Sequence, residues 1–592
     1  MFRRTRALVY RARSWLHRRE VAVWYDARYR LPLSSLESGS GMEPRRADYA
    51  AWWLRECGAV PKASFHAPRR ATYDELSRVH TAELLERLGQ PAQVASIFGV
   101  DPTDVPLDEV MTTIRLACGG TVAAARETLR RGVPALNLLG GFHHAAPAAA
   151  GGFCPVNDVA VALAAMRAEG FGGRAVVLDL DAHPPDGVAA CLANDPRAWV
   201  GSLSGSDWGP LPGVDETVLP EGTGDEAYLE ALGALLSRMP RPDLAFVIAG
   251  GDVVAGDRFG KLGLTLEGVR ERDLLVATEL EGVPQVWLPG GGYSDDAWRA
   301  LGGTGMALAT GSLAPIPRDY DPLDRRFARL ASELSPEELT DTNEFSADDL
   351  AEALGFTPTR QRLLLGFYTA AGVEHALFRY GFFQQLERLG YRHFRVAFDT
   401  TGLGERIKVM GEYENQEHVL VEIVMERRRV AGVELLYVHW LSLRNPRAQF
   451  SPRRPRLPGQ DVPGLGLARE VVFLLQRMAV RLGLGGLAYR PAWLHTAYAA
   501  RHDLVFADPA RQGRFEALLR DLGDVPLLEL TQAVADGRVL MNDEPYVWEA
   551  DEMVYWLREA PTSPAEIRAE RDRVRFTLAP AGSAPRPAAA KA

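Results

Sequence analysis

From Val21 to about Leu313, apolar residues fall in short continuous runs separated by longer amphipathic stretches. RAVVLDLD (174–181), DLAFVIAGGD (243–252) and VPQVWLPGGGY (283–293) are uninterrupted apolar segments, each running into Gly, Asp or a Gly-Tyr end. Hydrophobicity that is continuous rather than alternating means that both faces are covered, so these runs predict strands of a parallel sheet flanked by helices. In such sheets ligands bind beyond the carboxyl ends of the strands, which places chemistry near 179–187, 252 and 290–293.

The pattern changes at 314–345, which is rich in Pro and charge and reads as a linker with one short helix. SADDLAEAL then opens with an N-cap Ser, and an amphipathic helical stretch runs through GVEHALFRYGFFQQLERLG. Strand-like runs follow at 394–400, 405–413, 418–426 and 433–443, then a Pro- and Arg-rich loop and a helix near 467–482. The expected fold class is therefore an α/β unit with a parallel sheet over 21–313, followed by an α+β domain on an antiparallel sheet over 346–580. Residues 1–20 read as a basic arm and 581–592 as a disordered tail.

The chain has 592 residues, 47% hydrophobic and 24% charged, which excludes wholesale disorder. A formal charge of −10 gives no global drive toward nucleic acid or an anionic membrane. No apolar run approaches the roughly eighteen residues of a membrane span. Four cysteines, Cys57, Cys118, Cys154 and Cys191, stand singly with no CxxC. That spacing suits a reducing, cytoplasmic setting and leaves any metal to His and carboxylate ligands. The signatures GxSxG, HExxH and GxxxxGK[ST] are absent, which argues against a serine hydrolase, a zincin or a P-loop NTPase.

The chemistry is concentrated in GGFHHA (140–145), GGFCPVND (151–158), DLDAHPPDG (179–187), GGDVVAGDRFG (250–260) and GGGY (290–293). Asp181 and His183 lie two apart at a strand end, so their side chains point to one side. Asp252, ending a neighbouring strand, completes two carboxylates and one imidazole, the open ligand set of a catalytic zinc site. Iron(II) suits the same N/O donors. His143 and His144 follow a Gly-Gly pair, with Asp179 and Asp186 the nearest carboxylates in motif order to orient them as an acid–base pair. Tyr293, behind three glycines, offers a phenol to an oxyanion. Standing alone, DxDxH also reads as a solvated strand cap.

In this order the five segments resemble the histone deacetylase family of the arginase/deacetylase fold, closest to its class IV branch, over 21–313 or about half the chain. The resemblance implies His143 and His144 as the tandem histidines, His144 active and His143 electrostatic. It further implies Asp181, His183 and Asp252 as metal ligands, Tyr293 as oxyanion donor, and Gly152 and Phe153 as lining of an acyl-lysine tunnel. Asp179 and Ser202 resemble residues around the family's structural potassium site. The implied reaction is zinc-dependent hydrolysis of an acyl-lysine of a protein, or of an acylated polyamine or small amine, with selectivity set by rim loops around 34–46 and 204–213. One departure is Pro184-Pro185 after the liganding histidine, which removes two backbone donors on the approach to Asp186. Those prolines leave open a catalytically silent acyl-lysine-binding protein.

In the second half, Gly464 and Gly466 before the helix near Leu467, with Arg453, Arg454 and Arg456, suggest an anion site at a helix N-terminus. This order resembles the acyl-CoA-binding core of GNAT acetyltransferases, although Gln460 precedes Gly464 by four residues, one too many for the motif. A bifunctional protein with acetyl-CoA at this domain is thus a further alternative to a plain structural domain. His375, His439 and His495 sit in apolar contexts that favour buried, hydrogen-bonded imidazoles.

Overall fold

The computed structural model describes residues 19–340, 363–452, 454–501, 503–558 and 563–580. The tail at 581–592, SADDLAEAL and nearly all of the basic arm lie outside the described residues. The chain divides into two compact units, Met1–Pro322 and Leu323–Ala592.

The first unit is built on eight strands: β1 (Ala22–Trp24), β2 (Phe65–His66), β3 (Ala135–Asn137), β4 (Ala175–Asp179), β5 (Ala198–Ser204), β6 (Val214–Val218), β7 (Leu244–Ile248) and β8 (Gln285–Leu288). Their order is β2-β1-β3-β8-β7-β4-β5-β6, and every neighbouring pair is parallel. All residues of β4, β7 and β8 are buried, as expected of strands covered on both faces. Among the helices joining them are Leu107–Arg131, Asp158–Ala168 and Leu266–Glu279, and Ala297–Thr310 follows β8. The parallel sheet flanked by helices fits the arginase/deacetylase fold. Because β3, β8, β7 and β4 are consecutive in the sheet, the segments leaving their carboxyl ends converge.

The second unit carries β9 (Arg392–Thr401), β10 (Gly404–Tyr413), β11 (Gln416–Val430), β12 (Val433–Leu443), β13 (Gly486–Tyr489), β14 (Val505–Phe506), β15 (Val539–Met541), β16 (Glu544–Pro545), β17 (Met553–Trp556) and β18 (Phe576–Leu578). One sheet runs β14-β17-β13-β12-β11-β10-β9 and a small one β16-β15-β18. The larger sheet is mixed rather than purely antiparallel. β9 to β12 form an antiparallel meander, but the helix Ala468–Arg481 crosses over from β12 to a parallel β13.

Two local patterns differ from the sequence expectation. The stretch after 314 contains two helices, Pro322–Glu333 and Pro336–Thr340, with Leu323, Phe327, Leu330 and Leu334 all buried. Their 4-3-4 spacing is a helical stripe, hidden in the sequence by the density of proline and charge around it. The stretch through GVEHALFRYGFFQQLERLG is two helices, Ala370–Arg379 and Phe382–Arg388, broken where Gly381 takes φ 81°.

Candidate metal centre and acid–base pair

At the carboxyl end of β4 the chain places Asp179, Asp181 and His183, and at that of β7 it places Asp252. Asp181, His183 and Asp252 offer ligand atoms within 4.8 Å of one another. His183 Nδ1 lies 3.2 Å from Asp181 Oδ1 and 3.0 Å from Asp252 Oδ2. A tetrahedral zinc with ligands at about 2.0–2.1 Å has ligand–ligand edges of roughly 3.3 Å, so this donor set fits such an ion. The backbone fixes both carboxylates: Gly291 N–H donates to Asp181 Oδ2 (2.6 Å), and Ala182 N–H donates to Asp252 Oδ1 (3.0 Å). Only glycine fits at 291, where an added Cβ would lie 2.5 Å from Asp252 Oδ2.

Electrostatics agree with a cation site. Asp181 and Asp252 are both fully buried. Burial and the Asp181 charge raise Asp252 to a pKa of about 7. Burial lowers the affinity of His183 for a proton, but its hydrogen bonds to Asp181 and Asp252 outweigh this and hold its pKa at about 11. Two converging carboxylates thus recruit positive charge to one point.

The tandem histidines stand beside this cluster with ring centroids 4.0 Å apart. His143 Nδ1 is 3.0 Å from Asp179 Oδ2, and His144 Nδ1 is 2.7 Å from Asp186 Oδ1. A carboxylate accepts only, so each Nδ1 carries the proton and each Nε2 faces away from its carboxylate. Burial opposes charge on both rings, yet Asp179 and Asp181 overcome it at His143, whose pKa rises to about 9. At His144 burial and the neighbouring His143 charge win over Asp186, and the pKa falls. Burial and partner charges thereby shift the two adjacent imidazoles in opposite directions. Pro184 and Pro185 do not displace Asp186: it begins the helix Asp186–Leu192, and the Pro184 carbonyl accepts its N–H at 3.0 Å.

Tyr293 follows β8. Its ring lies 5.1 Å from Phe153 and 4.8 Å from Phe259, centroid to centroid. Gly152 and Phe153 both take left-handed φ, 54° and 62°. A Cβ on Gly152 would come within 2.5 Å of His144 Cδ2, so glycine lets this turn close over the imidazole. Ser202 on β5 sits in register with Asp179 on β4; it is fully buried, and its Oγ has no hydrogen-bond partner.

Several positioning residues had no distinct sequence signal. Arg46, in the rim segment, is buried and donates to the carbonyl of Gly290 (2.9 Å), which braces the GGGY turn from a point 244 residues away. Asp257 accepts from Tyr293 N–H (2.6 Å), Phe259 N–H and Gly260 N–H, tying the wall bearing Phe259 to Tyr293. Trp208, 52% exposed, stacks on His144 at 5.2 Å and 27°. Asp158, fully buried, accepts from Gly141 N–H (3.1 Å), Phe142 N–H (2.8 Å) and the Thr121 hydroxyl (2.6 Å) and so holds the turn that presents both histidines. Asp158→Ala strands two buried backbone donors, leaves the Thr121 hydroxyl only the Ala117 carbonyl, and is expected to cost about 3 kcal/mol, a lower urea midpoint with unchanged slope. Asp158→Asn, which keeps an acceptor, should lose less.

In the second unit the arginines before Gly464 turn inward to their own loop. Arg454 donates to the Gly464 carbonyl (2.7 Å), and Arg456 to the Gln460 carbonyl and Asp461. Arg453 lies outside the described residues. Gly466 has φ 72°, and buried Glu470 puts a carboxylate in the first turn of the helix that follows. Of the three histidines in apolar context, His439 bonds Glu426 (2.9 Å), whereas His375 is half-exposed beside Glu338. His495 is buried with Nδ1 unpartnered, and burial lowers its pKa to about 4.

The family model for the histone deacetylase domain matches residues 40–302. An uncharacterized protein of Picosynechococcus is 37% identical over 187 residues, covering 30% of this chain and 62% of that protein. Histone deacetylase 2 of Arabidopsis thaliana is 28% identical over 299 residues, 48% of this chain and 77% of the relative. Human histone deacetylase 1 is 25% identical over 307 residues, 47% and 62% respectively. The chain thus spans less than two thirds of the length of two of these three relatives. Residues 40–302 thus match the histone deacetylase domain in sequence, and they carry the parallel, helix-flanked sheet described above.

Proposed function

We propose that the unit Met1–Pro322 hydrolyses the amide of an N-acyl-lysine or a related acylated amine, giving a carboxylate and a free amine. The observation that carries this reading is the pair of carboxylate-bonded histidines beside a three-ligand cluster, with a phenol at the same strand ends. Asp181, His183 and Asp252 would hold zinc or iron(II), which when bound supplies Lewis-acid polarisation of the acyl carbonyl and acidifies water. His144 takes the proton of the attacking water at Nε2 and returns it to the departing nitrogen. His143, kept charged by Asp179, stabilises the negative charge that develops, and Tyr293 donates its hydroxyl to the oxyanion. Phe153 and Phe259 flank Tyr293 and, with Trp208 against His144, suit an unbranched alkyl amine stem; the names of the relatives favour acyl-lysine. The unpartnered Ser202 Oγ beside Asp179 fits a monovalent cation such as potassium.

The test is turnover of acetyl-lysine peptide against acetylated polyamine and longer-chain acyl-lysine. Tyr293→Phe is expected to lower kcat on the preferred substrate by about 10²–10³ with little change in KM. Saturable binding of acyl-lysine peptide with no release of carboxylate from any of these substrates would instead favour the silent binding protein.

A further inference from the structure

The unit Leu323–Ala592 contains a cavity of about 90 Å³ with walls from β10, β11 and the helices Ala370–Arg379 and Ala468–Arg481. Val409, Val421, Ile423 and Leu475 represent its walls, which are apolar, Phe382 included, apart from Tyr368, Tyr380, Arg477 and Arg481. These four form a polar corner that is short of acceptors. Tyr368 and Tyr380 are 5% and 9% exposed, and among the described residues neither hydroxyl makes a hydrogen bond. Arg477 gives Nη2 to Asp324 (2.7 Å), but its Nε is buried without a partner. Arg481 uses Nη2 on the carbonyls of Ala331 and Leu334 and has no carboxylate partner among the described residues. Arg477 Nε is a buried donor left unpaired, which is costly, and the two phenol hydroxyls stand beside two guanidinium groups, so the corner calls for an anionic acceptor.

Size narrows the ligand. A dry apolar cavity of about 150 Å³ holds benzene, so 90 Å³ suits roughly four carbons. We propose that this cavity binds a short aliphatic monocarboxylate, its alkyl chain against the β10–β11 face and its carboxylate on Tyr368, Tyr380 and Arg477. The site is separate from the metal centre and does not rest on the hydrolase reading.

Calorimetry and ligand-observed NMR on the full chain should find saturable binding of butyrate, tighter than that of acetate, octanoate or neutral butanamide. The double variant Tyr368→Phe/Tyr380→Phe keeps the shape and removes both hydroxyls, and should weaken butyrate at least tenfold. Ala376→Leu, which fills the cavity, should abolish binding; the isosteric double variant decides the matter where that protein fails to fold. No saturable binding, equal binding of butanamide, or undiminished binding by the double variant would each overturn the proposal.

Discussion

His144→Ala is expected to lower turnover of the preferred acyl-amine by about 10³-fold or more while leaving the thermal midpoint within a few degrees of the parent. General acid–base catalysis contributes typically 10²–10⁴, and His144 is asked to act twice, as base toward water and as acid toward the leaving nitrogen. Its Nδ1–H is committed to Asp186 at 2.7 Å, so Nε2 is the only nitrogen free to do both. The loss should fall on kcat, with KM little changed, because the imidazole serves proton transfer rather than ground-state binding. His143→Ala should behave differently. His143 is buried between Asp179 at 3.0 Å and Asp181 at 3.7 Å, and its removal leaves two buried carboxylates without that partner. Breaking such a buried pair costs about 3–5 kcal/mol, so this variant should lose both activity and stability. Kinetics and denaturation measured together separate the two histidines. Equal turnover by His144→Ala and parent would remove His144 from the mechanism.

The uneven legibility of the sequence has a physical cause. The parallel sheet could be read because a strand covered on both faces has few polar positions to spend: β4, β7 and β8 are apolar but for Asp179 at the end of β4 and Gln285 at the start of β8. Asp181 and His183 could be read because a two-residue offset on a strand end fixes a shared direction, and Asp252 because it ends the neighbouring run. Arg46, Asp158 and Asp257 could not, since each works by bonding backbone groups of a distant turn, and any arginine or aspartate on the chain has that capacity. Trp208 was legible only as part of a rim loop. In the second unit, the arginines near Gly464 suggested an anion site at a helix N-terminus; Arg454 and Arg456 bond carbonyls of their own loop, a choice of long flexible side chains that the sequence does not signal. The donors around the cavity come from a turn and two helices that periodicity alone does not bring together.

Asp252→Asn should uncouple metal binding from folding. In the parent, a divalent ion at 100 times its Kd is expected to stabilise the protein by about 2.7 kcal/mol, read as a rise in Tm after addition of zinc to chelator-treated protein. Asparagine keeps the Oδ1 that accepts from Ala182 N–H at 3.0 Å, so the loop after β7 retains its anchor. It removes one of two like charges buried around His183, leaving a ligand set of one carboxylate and one imidazole. The zinc-dependent rise should therefore collapse, metal content after gel filtration should fall well below one per chain, and turnover should drop to background. The metal-free variant, by contrast, should melt no lower than the metal-free parent, because the loss of the Asp252–His183 hydrogen bond is offset by relief of a buried carboxylate facing another buried carboxylate. That combination distinguishes a lost ligand from a damaged fold. A variant that keeps the full zinc-dependent rise would remove Asp252 from the ligand set, and one that melts lower without metal would make it a structural residue instead.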